Sequence, residues 1–133
     1  RLLAAGRIKK LPRLFAAQPE ALSPIYAAYS AGLDEIPEIA PAGISLAEGL
    51  AIVKPVRGSR ILQALRESGG GALIATEAEI NAAWHALAHI GLFAEPTSAV
   101  AAAALPQVYQ DIGDRAKVVV ALTGSGLKSP PKW

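Results

Sequence analysis

Residues 118–128 form the segment that most constrains the fold of this 133-residue chain. The run Val118-Val119-Val120-Ala121-Leu122 predicts a buried β-strand, because consecutive apolar, β-branched residues favour extended backbone in a protein interior. Thr123 follows the strand, and Gly124 and Gly126 allow a sharp turn that can approach a ligand closely. Since α/β proteins bind ligands outside the carboxyl ends of their strands, the sequence predicts Thr123 as a hydroxyl at a binding site.

Two further apolar stretches predict buried strands, at residues 13–18 and 72–75. Helical segments lie between the three predicted strands. This alternation indicates an α/β fold in which helices cover both faces of a parallel sheet, giving a three-layer sandwich. Three strands make a small sheet, so we expect neighbouring strands from elsewhere in a longer protein. The first residues, Arg1-Leu2-Leu3-Ala4-Ala5-Gly6, resemble the end of a helix with Gly6 as its C-cap.

The predicted helices begin at hydroxyl residues that can cap the free N–H groups of a first turn. These residues are Ser23, Ser45, Ser59 and Thr76. At Ser45 and Thr76 a glutamate three residues later predicts a capping box.

The two remaining expectations for helices concern the second half of the chain. Ile80, Trp84 and Leu87 recur at helical spacing and are expected to face the core. A last helix is predicted from Thr97 to about Gln110, with a kink at Pro106.

Composition excludes several classes of function. The chain has no cysteine, which excludes a disulfide framework and zinc–thiolate sites and suits a cytoplasmic protein. Its one basic cluster, at residues 7–13, contains no interleaved aromatic residues, so we expect no nucleic-acid partner. No apolar run approaches the ~20 residues that a membrane span needs, so we expect no membrane association. The length fits a single unit over residues 1–133.

Two patterns that could carry chemistry are better explained structurally. Ser68-Gly69-Gly70-Gly71 could hold a phosphate, but this run precedes a strand, whereas a phosphate loop precedes a helix; a connecting turn is favoured. His85 and His89 have a spacing that can bind a metal, but no third ligand is apparent and we predict no metal site.

Three segments remain as candidates for a binding site: residues 45–49, 95–99 and 123–126. Each also has a structural explanation, since Ser45 could cap a helix, Glu95 could pair with an arginine and Thr123 could cap a turn. In order, these segments resemble the C-terminal part of the threonine synthase family, pyridoxal-phosphate enzymes of fold type II. The specific matches are Glu95-Pro96-Thr97-Ser98-Ala99 and Leu122-Thr123-Gly124-Ser125-Gly126-Leu127-Lys128. Weaker matches are Lys10-Leu11-Pro12-Arg13, Glu67-Ser68-Gly69-Gly70 and Thr76-Glu77-Ala78-Glu79-Ile80.

The resemblance implies roles in cofactor binding for Thr123, Gly124, Glu95 and Gly49. A hydroxyl at the Thr123 position bonds to the pyridine nitrogen of pyridoxal phosphate, and Glu95 resembles an acidic residue near the cofactor. Gly49 belongs to a segment whose backbone runs along the ring edge. Ser125 departs from the family, because many threonine synthases have histidine there. No catalytic residue is identified.

Two parts that the family requires are missing from the sequence. There is no Phe-Lys-Asp or Ser-Phe-Lys context for the Schiff-base lysine, and the phosphate-binding glycine loop is expected to lie before Arg1. The resemblance therefore implies a C-terminal portion of the large domain of a larger catalytic chain, inactive alone. The intact enzyme is expected to be a homodimer that converts O-phosphohomoserine, its amino-acid substrate, and water to threonine and phosphate. A serine/threonine dehydratase, another β-replacement enzyme, or a non-catalytic α/β lobe that binds a ligand or partner remains an alternative.

Overall fold

The centre of the fold is a pair of parallel strands. The computed structural model describes residues 1–128. Strand β1 spans Phe15–Pro19 and strand β2 spans Gly71–Ala75, with Phe15 opposite Gly71 and Pro19 opposite Ala75. The connection between them passes through two helices, as parallel strands require a crossover rather than a tight hairpin.

Five α-helices surround the strands in the order β1-α1-α2-β2-α3-α4-α5 within residues 1–128. They are α1 (Pro24–Ser30), α2 (Gly58–Ser68), α3 (Glu77–His89), α4 (Pro96–Ala103) and α5 (Leu105–Ile112). Short 3-10 turns lie at Glu48–Leu50 and Gly126–Lys128. The break between α4 and α5 precedes Pro106, which confirms the predicted kink in a longer helical segment.

Helices cover both faces of the strand pair, as predicted for the α/β fold. On one face, Ile25 of α1 and Leu62 and Leu65 of α2 form a buried cluster with Ala72 of β2. On the other face, Ile80 of α3 and Val100 of α4 pack with Ala75. Alternate residues of β2 point to opposite faces, so this one strand contributes to both clusters.

The start of α3 confirms the predicted capping box. Thr76 Oγ1 accepts a hydrogen bond from the Glu79 N–H at 3.3 Å, and Glu79 Oε2 accepts from the Thr76 N–H at 2.8 Å. The backbone N–H and then the hydroxyl of Thr76 lower the pKa of Glu79 from 4.5, because both donate to its charged carboxylate.

Two predicted helix starts are wrong. Ser45 Oγ accepts from the Ala47 N–H at 3.0 Å, a local bond that competes with helix formation, and only the 3-10 turn at residues 48–50 follows. Helix α2 begins at Gly58 instead of after Ser59. A Cβ at Gly58 would lie 2.1 Å from Ile36 Cγ1, so glycine allows the preceding loop to pack against this helix end.

Residues 1–6 form a helical turn, although no α-helix is present there. The Gly6 N–H donates to Leu3 O at 3.0 Å and the Arg7 N–H donates to Leu2 O at 2.9 Å. Gly6 has a φ of +64°, the left-handed conformation predicted for it, but the segment that it closes is a single turn and not the end of an α-helix.

The strand predicted at residues 118–122 is the main correction to the fold. Val118 and Val120 are half-buried and Val119 is 95 % exposed, and no strand within residues 1–128 forms a ladder with this segment. Its apolar pattern favours extended backbone, but a strand also needs a neighbour for its N–H and C=O groups. The sheet that the structure describes therefore has two strands, not three.

Of the three α3 residues that were predicted to face the core, only one is fully buried. Ile80 is fully buried, whereas Trp84 and Leu87 are half-buried at the edge of the core. The Trp84 indole N–H donates to Ala94 O at 2.7 Å, so its ring lies where its polar nitrogen has a partner. Over residues 1–128, no helix has the length and apolar character needed to cross a bilayer.

Candidate binding site at the N-terminus of helix α4

The three candidate segments meet at the N-terminus of α4. Glu95 occupies the N-cap position with extended backbone, and Pro96 takes the first helical position, where its missing N–H is not needed. The 3-10 turn at residues 48–50 and the turn at residues 123–126 both contact this helix end. Residues that are far apart in sequence therefore lie together at this helix end.

Ser98 connects the helix to the turn that contains Thr123. Its side chain is buried, with the residue 3 % exposed. Ser98 Oγ accepts from the Thr123 N–H at 3.1 Å and from the Gly124 N–H at 2.9 Å. The two bonds fix the backbone that follows residue 122 even though that segment has no ladder partner within residues 1–128.

Glu95 contacts the same turn from the other side. The Glu95 N–H donates to Gly124 O at 3.0 Å. A Cβ at Gly124 would lie 1.7 Å from Glu95 Oε1 and 2.0 Å from Cδ, so only glycine leaves room for the glutamate side chain. Within residues 1–128 the Glu95 carboxylate forms no salt bridge, which disfavours the explanation that it pairs with an arginine.

An antiparallel contact extends this attachment past Gly124. Ala94 and Ser125 form an isolated bridge, and the Gly126 N–H donates to Phe93 O at 2.9 Å. Gly126 is buried against Phe93, whose ring atoms would lie 2.9 Å from a Cβ. Residues 124–126 are thus hydrogen-bonded to residues 93–95, which immediately precede α4.

Gly49 lies against the first turn of α4. A Cβ there would lie 3.0 Å from Thr97 Oγ1 and 3.2 Å from its methyl carbon, tighter than ordinary contact. The segment before Gly49 is held by Glu77, whose Oε2 accepts from the Leu46 N–H at 2.8 Å. Glu77 Oε1 is buried and has no hydrogen-bond partner within the described part of the chain.

Thr123 presents its side chain at the surface of this cluster. The residue is exposed, and its Oγ1 lies 3.5 Å from Ser98 Oγ. The hydroxyl is therefore available to a ligand, while the backbone behind it is held by Ser98.

The glycine run at residues 68–71 forms a connecting turn, as predicted. The Gly70 N–H donates to Leu65 O at 3.0 Å and the Gly71 N–H donates to Leu14 O at 3.1 Å. Because these amides are engaged within the chain, they are not directed at a phosphate.

The other candidates for chemistry lie apart from α4. His85 and His89 are exposed on α3, and within residues 1–128 no group of three side chains could hold a metal ion. Arg13 in the basic cluster bonds to Gly69 O and Asp111 and lies 5.1 Å from the Phe15 ring centroid.

Two surface depressions beside α2 do not coincide with the candidate site. One of about 450 Å³ and another of about 410 Å³ are open to solvent beside α2. Their lining residues are Asp34, Val56, Arg57, Ser59, Arg60, Gln63, Arg66 and Glu67. No residue of the three candidate segments lines either depression, so neither one is part of the candidate site.

Comparison with protein families identifies the family of the chain. Residues 1–124 match the model described as "Pyridoxal-phosphate dependent enzyme". The chain belongs to this family. The match extends through Glu95 and Gly49 and as far as Gly124, so all four residues predicted to bind cofactor lie inside it.

Similar sequences come from threonine synthases. The chain is 37 % identical over 129 residues to the threonine synthase of Methanosarcina acetivorans, covering 94 % of this chain and 31 % of that protein. It is 31 % identical over 128 residues to the threonine synthase of Mycobacterium bovis, covering 94 % of this chain and 33 % of that protein. The chain thus spans about a third of the length of these relatives.

A solved structure supports the fold. The crystal structure of a threonine deaminase from the organism abbreviated T.th. matches with a TM-score of 0.59 and 22 % identity, covering 87 % of this chain and 39 % of that one. The fold is therefore the α/β architecture of fold type II pyridoxal-phosphate enzymes, as predicted.

Nothing in the sequence distinguishes Ser98 from its neighbours in the motif at residues 95–99. A serine in the first turn of a helix is ordinary, and its bonds to Thr123 and Gly124 cross 25 and 26 residues. The available signal was that the motifs at residues 95–99 and 123–126 were expected to lie at one site.

Proposed function

We propose that the chain is the C-terminal portion of the large domain of a threonine synthase. The intact enzyme would be a homodimer in the cytoplasm that converts O-phosphohomoserine and water to threonine and phosphate. The similarity to threonine synthases over 94 % of the chain supports this assignment. The observation that carries it is the convergence of Gly49, Glu95 and the Thr123–Gly124 turn at one helix end.

The residues present fit the ring of pyridoxal phosphate. The cofactor supplies an electron sink for reactions at the β or γ carbon of an amino acid. Thr123 offers an exposed hydroxyl from a turn whose backbone is fixed, and Gly124 and Gly49 present backbone without a Cβ. These features suit the edge of a flat ring that must approach the backbone closely.

Thr123 would hold the ring nitrogen through a neutral hydroxyl. A hydroxyl does not keep that nitrogen protonated as a carboxylate would, so the ring withdraws electrons less strongly, which suits elimination and replacement reactions. Glu95 would supply negative charge near the cofactor, and its position against Gly124 links its side chain to the same turn. Gly49 would line the ring edge.

The covalent anchor and the phosphate cradle would be supplied by the remainder of the longer protein. No lysine of this sequence stands in the context that the family uses for the Schiff base. Covalent catalysis of this kind requires that amine. We therefore expect the 133-residue chain alone to form no threonine from O-phosphohomoserine and no ketoacid from threonine when pyridoxal phosphate is added.

The role of Thr123 is tested in the longer enzyme by comparing Thr123→Ala with Thr123→Ser. Loss of the hydroxyl should reduce transition-state stabilisation by about 1–3 kcal/mol in a dry site. This is up to roughly a hundredfold in kcat/KM. The serine variant keeps the donor and should retain most activity. The absorbance spectrum of the bound cofactor should change in the alanine variant only.

Two outcomes would contradict the proposal. Unchanged rates and spectra in Thr123→Ala would make Thr123 a turn residue. Turnover of threonine to a ketoacid, without conversion of O-phosphohomoserine, would assign the enzyme to the dehydratases instead.

A further inference from the structure

The Ser98 hydroxyl is a buried polar group at the candidate site whose effect on the Thr123 side chain has not yet been considered. It lies in the first turn of α4, 3 % exposed, and it accepts N–H bonds from two consecutive residues of the Thr123–Gly124 turn. We infer that Ser98 is a positioning residue that fixes this turn and keeps the Thr123 proton available to the ligand. The second half of this inference rests on the proposed function.

The hydrogen-bonding capacity of Ser98 Oγ limits which groups it can bind. A serine hydroxyl has two lone pairs and one proton. The N–H groups of Thr123 and Gly124 occupy both acceptor directions of Ser98 Oγ, at 3.1 and 2.9 Å. Ser98 therefore has no acceptor capacity left for the Thr123 hydroxyl, which is 3.5 Å away.

The Thr123 hydroxyl finds no acceptor at Ser98. Since Ser98 cannot accept the Thr123 proton, that proton remains free to be donated outward from the exposed side chain. Any proton shared between the two hydroxyls runs from Ser98 to Thr123. Thr123 is then a donor, and it selects a ligand atom that accepts a hydrogen bond, such as an unprotonated ring nitrogen.

The Thr123–Gly124 turn is held in place by a small number of attachments. The preceding segment, residues 118–122, has no ladder partner within residues 1–128. Within residues 1–128 the turn is attached by its bonds to Ser98, the Glu95 N–H bond to Gly124 O, the bridge at Ala94 and the Gly126 N–H bond to Phe93 O. Among these attachments, the bond from Ser98 engages the amide of Thr123.

Amide hydrogen exchange in the longer enzyme, measured before pyridoxal phosphate is added, tests the positioning role directly. Ser98→Ala should speed exchange at Thr123 and Gly124 roughly 5- to 30-fold, the effect of losing bonds worth about one to two kcal/mol in total. Exchange in β1 and β2 serves as the internal reference for global stability. Ser98→Cys fills the same space with a weak acceptor and should resemble Ser98→Ala, and Ser59→Ala on the exposed side of α2 is the control.

The link to the cofactor is tested by a double-mutant cycle in the longer enzyme. Ser98→Ala should weaken pyridoxal phosphate binding about tenfold, measured by equilibrium dialysis, and this effect should largely disappear in a Thr123→Ala background. A matching change in the cofactor spectrum is expected in Ser98→Ala and not in Ser59→Ala.

The outcomes separate the two proposals. Unchanged exchange at Thr123 and Gly124 in Ser98→Ala, or full restoration by Ser98→Cys, overturns the positioning role. Faster exchange with unchanged cofactor affinity keeps Ser98 as the anchor of the turn but overturns its role toward the ligand. If Ser98→Ala lowers the affinity for pyridoxal phosphate equally in the wild-type and Thr123→Ala backgrounds, Ser98 does not act through the Thr123 hydroxyl. Failure of the longer enzyme to bind pyridoxal phosphate at all overturns the proposed function, whatever the exchange result.

Discussion

Two apolar regions of this chain are both predicted as buried strands, but only one of them pairs with a neighbouring strand within residues 1–128. Strand β2 pairs with β1 along its whole length and contributes Ala72 and Ala75 to clusters on opposite faces. Residues 118–122 have a stronger valine pattern, yet Val119 is 95 % exposed and no neighbouring strand lies within residues 1–128. The difference teaches that side-chain pattern specifies extended backbone, whereas pairing depends on what the rest of the protein places alongside.

The same C-terminal region is firmly attached just beyond the unpaired segment. Ser98 and Glu95 bind the turn at residues 123–124, and Phe93 and Ala94 bind residues 125–126. The region thus has an unpaired half and an anchored half. We expect substitutions in the β1–β2 core, the anchored turn and the unpaired segment to have effects that decrease in that order.

The largest loss of stability is expected for Ile80→Ala, in the buried cluster that packs against β2. Ile80 of α3 is fully buried against α4 and β2, so its truncation removes apolar contacts and leaves a cavity. The free energy of unfolding should fall by about 2–5 kcal/mol. Val119→Ala is the matched change in the exposed segment and should alter it by less than about 0.5 kcal/mol. Denaturant titration of both variants measures the contrast, and similar losses would mean that residues 118–122 are packed in solution.

A smaller effect is expected when the anchored turn is disturbed. Gly124→Ala places a methyl group where Glu95 Cδ and Oε1 lie, so the glutamate must move away. Overpacking of this kind should lower the free energy of unfolding by about 1–3 kcal/mol. Gly43→Ala meets no atom within 4 Å and is the control. Adding Glu95→Ala should restore most of the loss; a double variant as unstable as Gly124→Ala would show that the clash lies elsewhere.

Substitutions in the unpaired segment should change the self-association of the chain rather than its free energy of unfolding. Residues 118–122 and the outer edges of β1 and β2 offer backbone groups without ladder partners within residues 1–128, and such edges invite pairing. We expect the isolated chain to self-associate and Val119→Lys to weaken association about tenfold, or about 1.4 kcal/mol. Light scattering across a concentration series measures this. A wild-type chain that stays monomeric at high concentration would identify residues 1–133 as a self-sufficient domain.

The fold was predictable from sequence wherever local signals agreed with later packing. The Thr76–Glu79 capping box, the break before Pro106 and the apolar run of β2 each depend on residues within a few positions, and each is present. Ser45 and Ser59 show the opposite case. The Ser45 hydroxyl closes a local turn, and α2 begins at Gly58, where the absence of a Cβ leaves room for Ile36, a residue far away in sequence.

The candidate site was predictable as a set of segments but not as a set of contacts. The motifs at residues 45–49, 95–99 and 123–126 converge on α4, as the resemblance implied. The bonds from Ser98 could not be predicted, because a helical serine has no sequence signature that reveals a partner 25 residues away. Cofactor binding by Thr123, Gly124, Glu95 and Gly49 remains a prediction.

The smallest expected change in stability comes from titrating Glu79 in the capping box at the start of α3. The pKa of Glu79 is lowered from 4.5 in the folded chain by hydrogen bonds from the N–H and hydroxyl of Thr76. A carboxylate with a lowered folded-state pKa adds stability that is fully present above its unfolded value, about 4.5, and is lost as the pH falls through the folded value. Because Glu79 is exposed to solvent, the contribution should stay below about 1 kcal/mol.

Glu79→Gln isolates this contribution, because glutamine keeps an oxygen acceptor for the Thr76 N–H and does not titrate. The stability difference between wild type and variant should be constant above about pH 5.5 and should shrink as the pH falls below 4.5. Thermal unfolding at closely spaced pH values measures the difference, with Glu67→Gln on α2 as the exposed control. A difference that grows on acidification, or one that Glu67→Gln reproduces, would mean that the charge of Glu79 does not stabilise the start of α3.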